Sequence, residues 1–155
     1  MSVNTAFQGR VYPPSPPYAV GRESVREFAA AVGARSPLHR EVEAAKAAGY
    51  ADVVAPPTYA VVIAQRCEAQ YVGDPDSGID FSRVVHAEEQ FTYARPIVAG
   101  QEVVGTLHVE RVREVGGHAM ITTRVELSEG PERPDGSHVL GSVTSTLVVR
   151  GEDGA

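Results

Sequence analysis

Pro56-Pro57-Thr58-Tyr59-Ala60-Val61-Val62-Ile63-Ala64-Gln65-Arg66-Cys67 is the stretch on which the fold turns. Proline is tolerated in the first turn of a helix, where its missing N–H has no helical partner, so Pro56-Pro57-Thr58 predicts a helix start. Val61, Val62, Ile63, Ala64 and Cys67 nearly encircle the first half of that helix, whereas Arg66, Glu68 and Gln70 are expected to return it to solvent. A helix apolar on most sides needs cover on most sides, which marks it as central.

The cover is to be found downstream. Gly73-Asp74-Pro75-Asp76-Ser77-Gly78 is turn chemistry, and after it the hydrophobic period changes from that of a helix to two. Val84 to Tyr93, Gln101 to Arg113, His118 to Ser128 and His138 to Arg150 are long and rich in β-branched residues, with turns at Pro96 to Gly100, Gly116-Gly117 and Gly130 to Gly136. Val115-Gly116-Gly117-His118 signals a tight hairpin and so an antiparallel pair. Helices first and then successive strands with short connections predict an α+β domain whose antiparallel sheet cannot cover its own apolar face. The helix from Pro57 would cover it. A sheet wrapped round one apolar helix is the hot-dog arrangement, although other helix-on-sheet packings fit the same pattern.

Upstream, Pro13, Pro14, Pro16 and Pro17 predict an extended arm over residues 1–17, running along the surface. Tyr18-Ala19-Val20 reads as a short strand. A helix opened by Gly21 and stopped by Gly33 carries Val25, Phe28, Ala29 and Val32 as one apolar stripe. A short peripheral helix follows over Glu41 to Ala48, closed by Gly49. Residues 1–155 are read as a single domain, with 151–155 a flexible tail.

The 155 residues, 43% of them hydrophobic, suffice for one sizeable core but not two. A net charge of -6 without a Lys/Arg cluster argues against a nucleic-acid partner. The lone Cys67 precludes an internal disulfide, the first residues lack the pattern of a signal peptide, and no apolar run approaches a membrane span. The expected location is the cytoplasm. His108, His118 and His138 show no metal-ligand spacing among themselves or with Cys67, so neither metal nor cofactor is expected.

The stretch Val32-Gly33-Ala34-Arg35-Ser36-Pro37-Leu38-His39, followed by an alanine-bearing helix, Gly49-Tyr50 and Val54-Ala55-Pro56-Pro57-Thr58, resembles the MaoC-like (R)-specific enoyl-thioester hydratases and dehydratases. Phe7-Gln8-Gly9-Arg10, Tyr12-Pro13-Pro14, Val85-His86-Ala87-Glu88, Phe91, Tyr93-Ala94-Arg95-Pro96 and Ala99-Gly100 extend the likeness over nearly the whole chain. They bring it closest to small actinobacterial single-hot-dog proteins related to the A subunit of the mycobacterial (3R)-hydroxyacyl-carrier-protein dehydratase. The resemblance implies an acyl-thioester site in which an Asp and a His, in the pattern Gly-Asp-x-Asn-Pro-(Leu/Ile)-His, move a proton and handle water. Abstracting a proton beside a thioester carbonyl takes a positioned base, and hydroxide leaves only when protonated. Here Pro37, Leu38 and His39 keep the pattern, but Ala34 stands at the Asp position and Ser36 at the Asn position. A methyl group moves no proton. Pro57 occupies the place of a glycine whose N–H would hold the thioester oxyanion; Thr58 N–H is the substitute.

By this resemblance His39 is the catalytic candidate and Ser36 a weaker one, while Thr58, Tyr59, Val62, Ile63, His86 and Arg95 are candidates for binding substrate. The bland alternatives are a core role for the apolar residues, a turn-shaping role for Arg95, and a strand histidine paired with a carboxylate at a subunit contact for His86. Three functions are open. The first is an acyl-CoA- or acyl-carrier-protein-binding subunit acting as a homodimer, or as a heterodimer with a catalytic MaoC-like subunit. The second is a working lyase using His39 on a different thioester. The third is a non-enzymatic ligand-binding or structural dimer.

Overall fold

The computed structural model of the chain describes residues 3–151. Three helices, α1 (Arg22–Ala31), α2 (Val42–Ala47) and α3 (Val61–Val72), accompany five strands: β1 (Tyr18–Ala19), β2 (Val84–Tyr93), β3 (Glu102–Val115), β4 (His118–Glu129) and β5 (Val139–Val149). The strands form one curled antiparallel sheet in the order β1-β3-β4-β5-β2. Val115 pairs with His118 across the expected hairpin, whose Gly116 and Gly117 both take positive φ, as the tight primed turn requires. Residues 152–155, where most of the expected tail falls, and the first two residues of the expected arm lie outside the described residues.

Alternation along the strands sets the inner face. Val103, Leu107 and Val109 of β3, Ile121, Val125 and Leu127 of β4, and Val143, Leu147 and Val149 of β5 are buried, as a pleat covered on one side demands. The helix α3 lies on the β3–β4 part of this face, with Ile63, Ala64, Cys67 and Tyr71 turned inward. Contact is closest at Gly105, where a methyl group would come within 2.4 Å of Cys67 Sγ and 3.0 Å of Val125 Cγ1. Gly105→Ala is therefore expected to overpack the helix–sheet interface and cost roughly 1–3 kcal/mol in urea unfolding. Cys67→Ala in the same chain should recover most of that loss.

Several expectations are corrected. The helix α3 begins at Val61, not at Pro56 or Pro57. Residues 56–60 form tight turns in which Tyr59 N donates to Pro56 O at 2.9 Å and Val61 N to Thr58 O at 3.2 Å. The backbone bonds made through this stretch run from an N–H to the carbonyl three residues back, and the four-residue helical ladder sets in only with Ala64 N donating to Ala60 O. Val61 and Val62 are half-buried rather than enclosed, because α3 packs chiefly on β3 and β4 and leaves its other side less covered. Glu68, expected in solvent, is 3% exposed; its Oε1 accepts a 2.7 Å hydrogen bond from Thr123 Oγ1, which makes burial tolerable. Val32, expected on the apolar stripe of α1, is exposed, whereas Val25 and Ala29 are fully buried.

The proline arm runs extended, but as a clamp rather than a surface ribbon. Gly9 N, Tyr12 N and Ser15 N donate to Val109 O, Leu107 O and Gly105 O at 2.8, 2.9 and 2.8 Å, covering the edge of β3 that the short β1 leaves bare. Phe7 belongs to the core and stacks on Tyr71 with ring centroids 5.5 Å apart. At the other end of the sheet, the outer edge of β2 pairs with no strand among the described residues.

Candidate functional site

Three segments are laced together to build the cleft around His39. Ser36 accepts a hydrogen bond from Leu38 N at 3.3 Å and so caps the single 3-10 turn Pro37–His39. This turn is clipped to the segment before α3: Val54 N donates to Leu38 O at 2.9 Å, and His39 Nδ1 lies 2.6 Å from Val54 O. That segment is pinned in turn to the stretch before β3, with Ala55 N donating to Ile97 O at 2.8 Å and Ala99 N to Val53 O at 3.0 Å. A carbonyl can only accept, so Nδ1 carries the proton towards Val54 and Nε2 of neutral His39 is the free acceptor, the atom a general base would use.

The cleft holds about 190 Å³ and is lined by His39, Val54, Pro56, Pro57, Tyr93 and Ile97, among others. Its walls are almost wholly apolar. Tyr93, the inward residue at the end of β2, donates its hydroxyl to Pro57 O; burial pushes its phenol up to about 12, so it stays protonated and keeps that bond. The carbonyl of Pro57 is thus engaged, whereas Thr58 N–H makes no hydrogen bond among the described residues. Thr58 is exposed at the start of the turn leading into α3.

The candidates of the sequence separate in space. His39 and Pro57 share the cleft, with Thr58 adjoining. Ala34 and Ser36 do not line it: Ser36 is the cap just described, and Ala34 O accepts from Arg40 Nη2 at 3.0 Å, while Arg26 Nε donates to Arg40 O at 2.9 Å. Tyr59 is fully buried beneath α1. Its hydroxyl lies 2.8 Å from Ser24 Oγ and 3.1 Å from Tyr18 OH, and desolvation pushes it up to about 12. Ile63 is core and Val62 half-buried. Arg95 pairs with Glu129 at 3.2 Å, so a phosphate there would have to displace a carboxylate. His86 lies near the opposite end of β2 from Tyr93. Sequence reasoning passed over Tyr93 and Ile97 as parts of this cleft; Tyr93 was visible only as an inward position in a period-two strand, and Ile97 carried no signal. Among the described residues no group of three or more His, Cys, Asp or Glu could hold a metal ion, and no helix is long and apolar enough to cross a membrane.

A curled sheet closed on a buried helix, with a histidine loop clipped to the segment that precedes that helix, defines the hot-dog fold of the dehydratase and hydratase type. The chain belongs to the family described as the FAS1-like dehydratase domain region, whose model matches residues 6–139. A UPF0336 protein of Clavibacter michiganensis is 54% identical over 153 residues, covering 99% of both chains. Among solved structures, a protein described as a MaoC-like dehydratase superposes with a TM-score of 0.84 at 32% identity over 96% of this chain and 43% of that one. The C-terminally truncated HadBC complex, a (3R)-hydroxyacyl-ACP dehydratase of Mycobacterium tuberculosis, superposes with a TM-score of 0.78 at 28% identity over 92% of this chain and 96% of that one.

Proposed function

We propose that the chain is an acyl-thioester-binding subunit of the (3R)-hydroxyacyl-ACP/CoA dehydratase kind, which acts with a partner hot-dog subunit carrying an intact Asp and His. One observation carries the reading: the cleft keeps the binding frame and lacks the acid. His39 is oriented with Nε2 free, the apolar walls suit an acyl thioester, and no carboxylate is among the cleft's lining residues, Ala34 standing in the loop where the family's sequence pattern has its Asp. The likeness to one subunit of a two-subunit dehydratase supports a partner, as does the open edge of β2, since joining two sheets edge to edge hides unpaired backbone groups. Thr58 N–H stands in for the oxyanion donor, and Val62 and Ile63 border the path an acyl chain would follow along α3.

The test is native mass spectrometry of the chain with and without a MaoC-like protein encoded beside it that carries Gly-Asp-x-Asn-Pro-x-His. A heterodimer that dehydrates a 3-hydroxyacyl thioester, while this chain alone does not, is the expected result. A chain that stays monomeric at micromolar concentration with that protein present would end the subunit reading. The locked tautomer of His39 favours a second reading, a lyase using His39 as sole base on a thioester with a more acidic proton; His39→Ala abolishing turnover by the isolated wild-type chain would establish it instead.

A further inference from the structure

The backbone rungs that lead into α3 follow one another with a single omission. Tyr59 N donates to Pro56 O, Val61 N to Thr58 O, Val62 N to Tyr59 O at 3.0 Å and Ile63 N to Ala60 O at 3.1 Å, but no bond joins Ala60 N to Pro57 O. The hydroxyl of Tyr93 stands in that gap. It donates to Pro57 O. Burial is the main influence on its phenol, raising it to about 12, and a hydrogen bond from the Ala60 backbone to the same oxygen opposes that rise. A side chain from the end of β2 thus replaces one rung by a bridge, and satisfies both backbone groups that the missing bond would have left orphaned.

The fold brings the hydroxyl there through a bulge. Along β2 the pairing shifts between His86, opposite Leu147, and Glu88, opposite Thr146, so that Ala87 is the extra residue. In a regular strand that kept the phase of Val84 and His86, residue 93 would face outward. Past the bulge the phase is reversed, and Glu89, Phe91 and Tyr93 lie opposite the buried Ser145, Val143 and Gly141 and face inward, which is how bulges re-aim side chains. At Gly141 the two strands approach more closely than a side chain allows: a methyl group there would come within 2.0 Å of Thr92 O and 3.0 Å of Tyr93 Cα. The phenol is carried on a firmly held strand end.

The consequence lies across one peptide bond. The bond between Pro57 and Thr58 is trans, so its carbonyl and its N–H point in opposite directions. Holding Pro57 O therefore fixes the direction of Thr58 N–H, which meets no acceptor among the described residues. Without the hydroxyl, Pro57 O is free to swing towards Ala60 N–H and close the ordinary rung, and Thr58 N–H turns with it. We propose that Tyr93 is a positioning residue of the thioester site, its hydroxyl holding the Pro57–Thr58 peptide so that Thr58 N–H stays aimed as the donor to the thioester oxygen. This role rests on the acyl-thioester reading above. A donor aimed before the substrate arrives needs no reorganisation during the reaction, which is what makes such a dipole effective.

Tyr93→Phe keeps the ring and removes only the hydroxyl. In the unliganded ¹³C,¹⁵N-labelled wild-type chain, scalar coupling across hydrogen bonds should link Tyr59 N to the Pro56 carbonyl carbon, the reference, but not Ala60 N to that of Pro57; the latter coupling should appear in Tyr93→Phe. Crotonyl-coenzyme A is then titrated into both chains and the shifts are read at saturation, where differences in affinity drop out. In the wild-type chain the amides of His39, Val54 and Ile97 should shift and the Thr58 amide proton should move downfield as it gains an acceptor. In Tyr93→Phe the first three responses should persist while that of Thr58 is at least halved, a split that a merely structural tyrosine would not produce. A Thr58 response in Tyr93→Phe equal to the wild type's would overturn the role. So would an Ala60–Pro57 coupling already present in the wild-type chain, a result that decides alone if Tyr93→Phe does not fold. No saturable shift in the wild-type cleft would instead end the thioester reading, and the role of Tyr93 with it.

Discussion

Purified alone, the chain will hydrate crotonyl-coenzyme A at least roughly 10²- to 10⁴-fold more slowly than a relative with both Asp and His in the loop, the range expected when one general acid–base group is missing. The physical reason is local. His39 has its Nδ1 proton committed to Val54 O and offers Nε2 as a base. Among the described residues no carboxylate lines the His39 cleft to protonate the leaving hydroxyl or position the attacking water. Binding can still contribute, as can Thr58 N–H if it holds the thioester oxygen, which is why a residual rate is expected rather than none, and why the missing contributions need not add. Steady-state assay of the isolated chain settles it: turnover in the ordinary enzyme range of about 1 to 10³ per second would show that the reaction has another acid.

Much of the architecture could be read from the residues, because periodicity survives folding when one face is buried. The bounds of β2 coincide with Val84 to Tyr93, and the Gly116-Gly117 hairpin forms as expected. What escaped depended on tertiary partners. Glu68 looked solvent-bound because nothing in the sequence places Thr123, fifty-five residues on, within hydrogen-bond reach. The bulge at Ala87 was invisible for the same reason: pairing register is a property of two strands, and only the partner β5 shows that His86 and Glu89 share a face. The arm was misjudged in the opposite direction. Four prolines correctly implied extension, but the bare edge of β3, which makes that extension a clamp, follows from β1 being only two residues long. In the His39 loop the pattern and its break at Ala34 are legible in the sequence; the backbone pairing of Ala34 with Arg40 is not, since an exposed arginine has many possible acceptors.

The second large effect concerns Ala34 and separates a decayed site from a repurposed one. Ala34→Asp with Ser36→Asn restores a carboxylate five residues before His39, and weak hydratase activity should appear and vanish again with His39→Ala. The rescue starts from a disadvantage visible in the fold. Arg40 Nη2 sits 3.0 Å from Ala34 O, so a new carboxylate at 34 has a guanidinium within reach, and an Asp paired with Arg holds its proton less readily. Asparagine in place of Ser36 still offers an oxygen to cap the turn at Leu38 N, so the loop should keep its shape. The remaining deficit is the oxyanion. Pro57 has no N–H and its carbonyl is held by Tyr93, whereas Thr58 N–H makes no hydrogen bond among the described residues and is the donor proposed for the thioester oxygen. Adding Pro57→Gly supplies a second, and removal of one such donor elsewhere costs roughly 10²- to 10³-fold in turnover. The triple variant should therefore exceed the double by a factor of about that size if the thioester oxygen lies at the leading turn of α3. A triple variant that folds, binds acyl-coenzyme A and stays inert would mean that the 33–39 loop no longer faces the acyl carbon, and His39 would then be a residue that holds Val54 in place rather than a base.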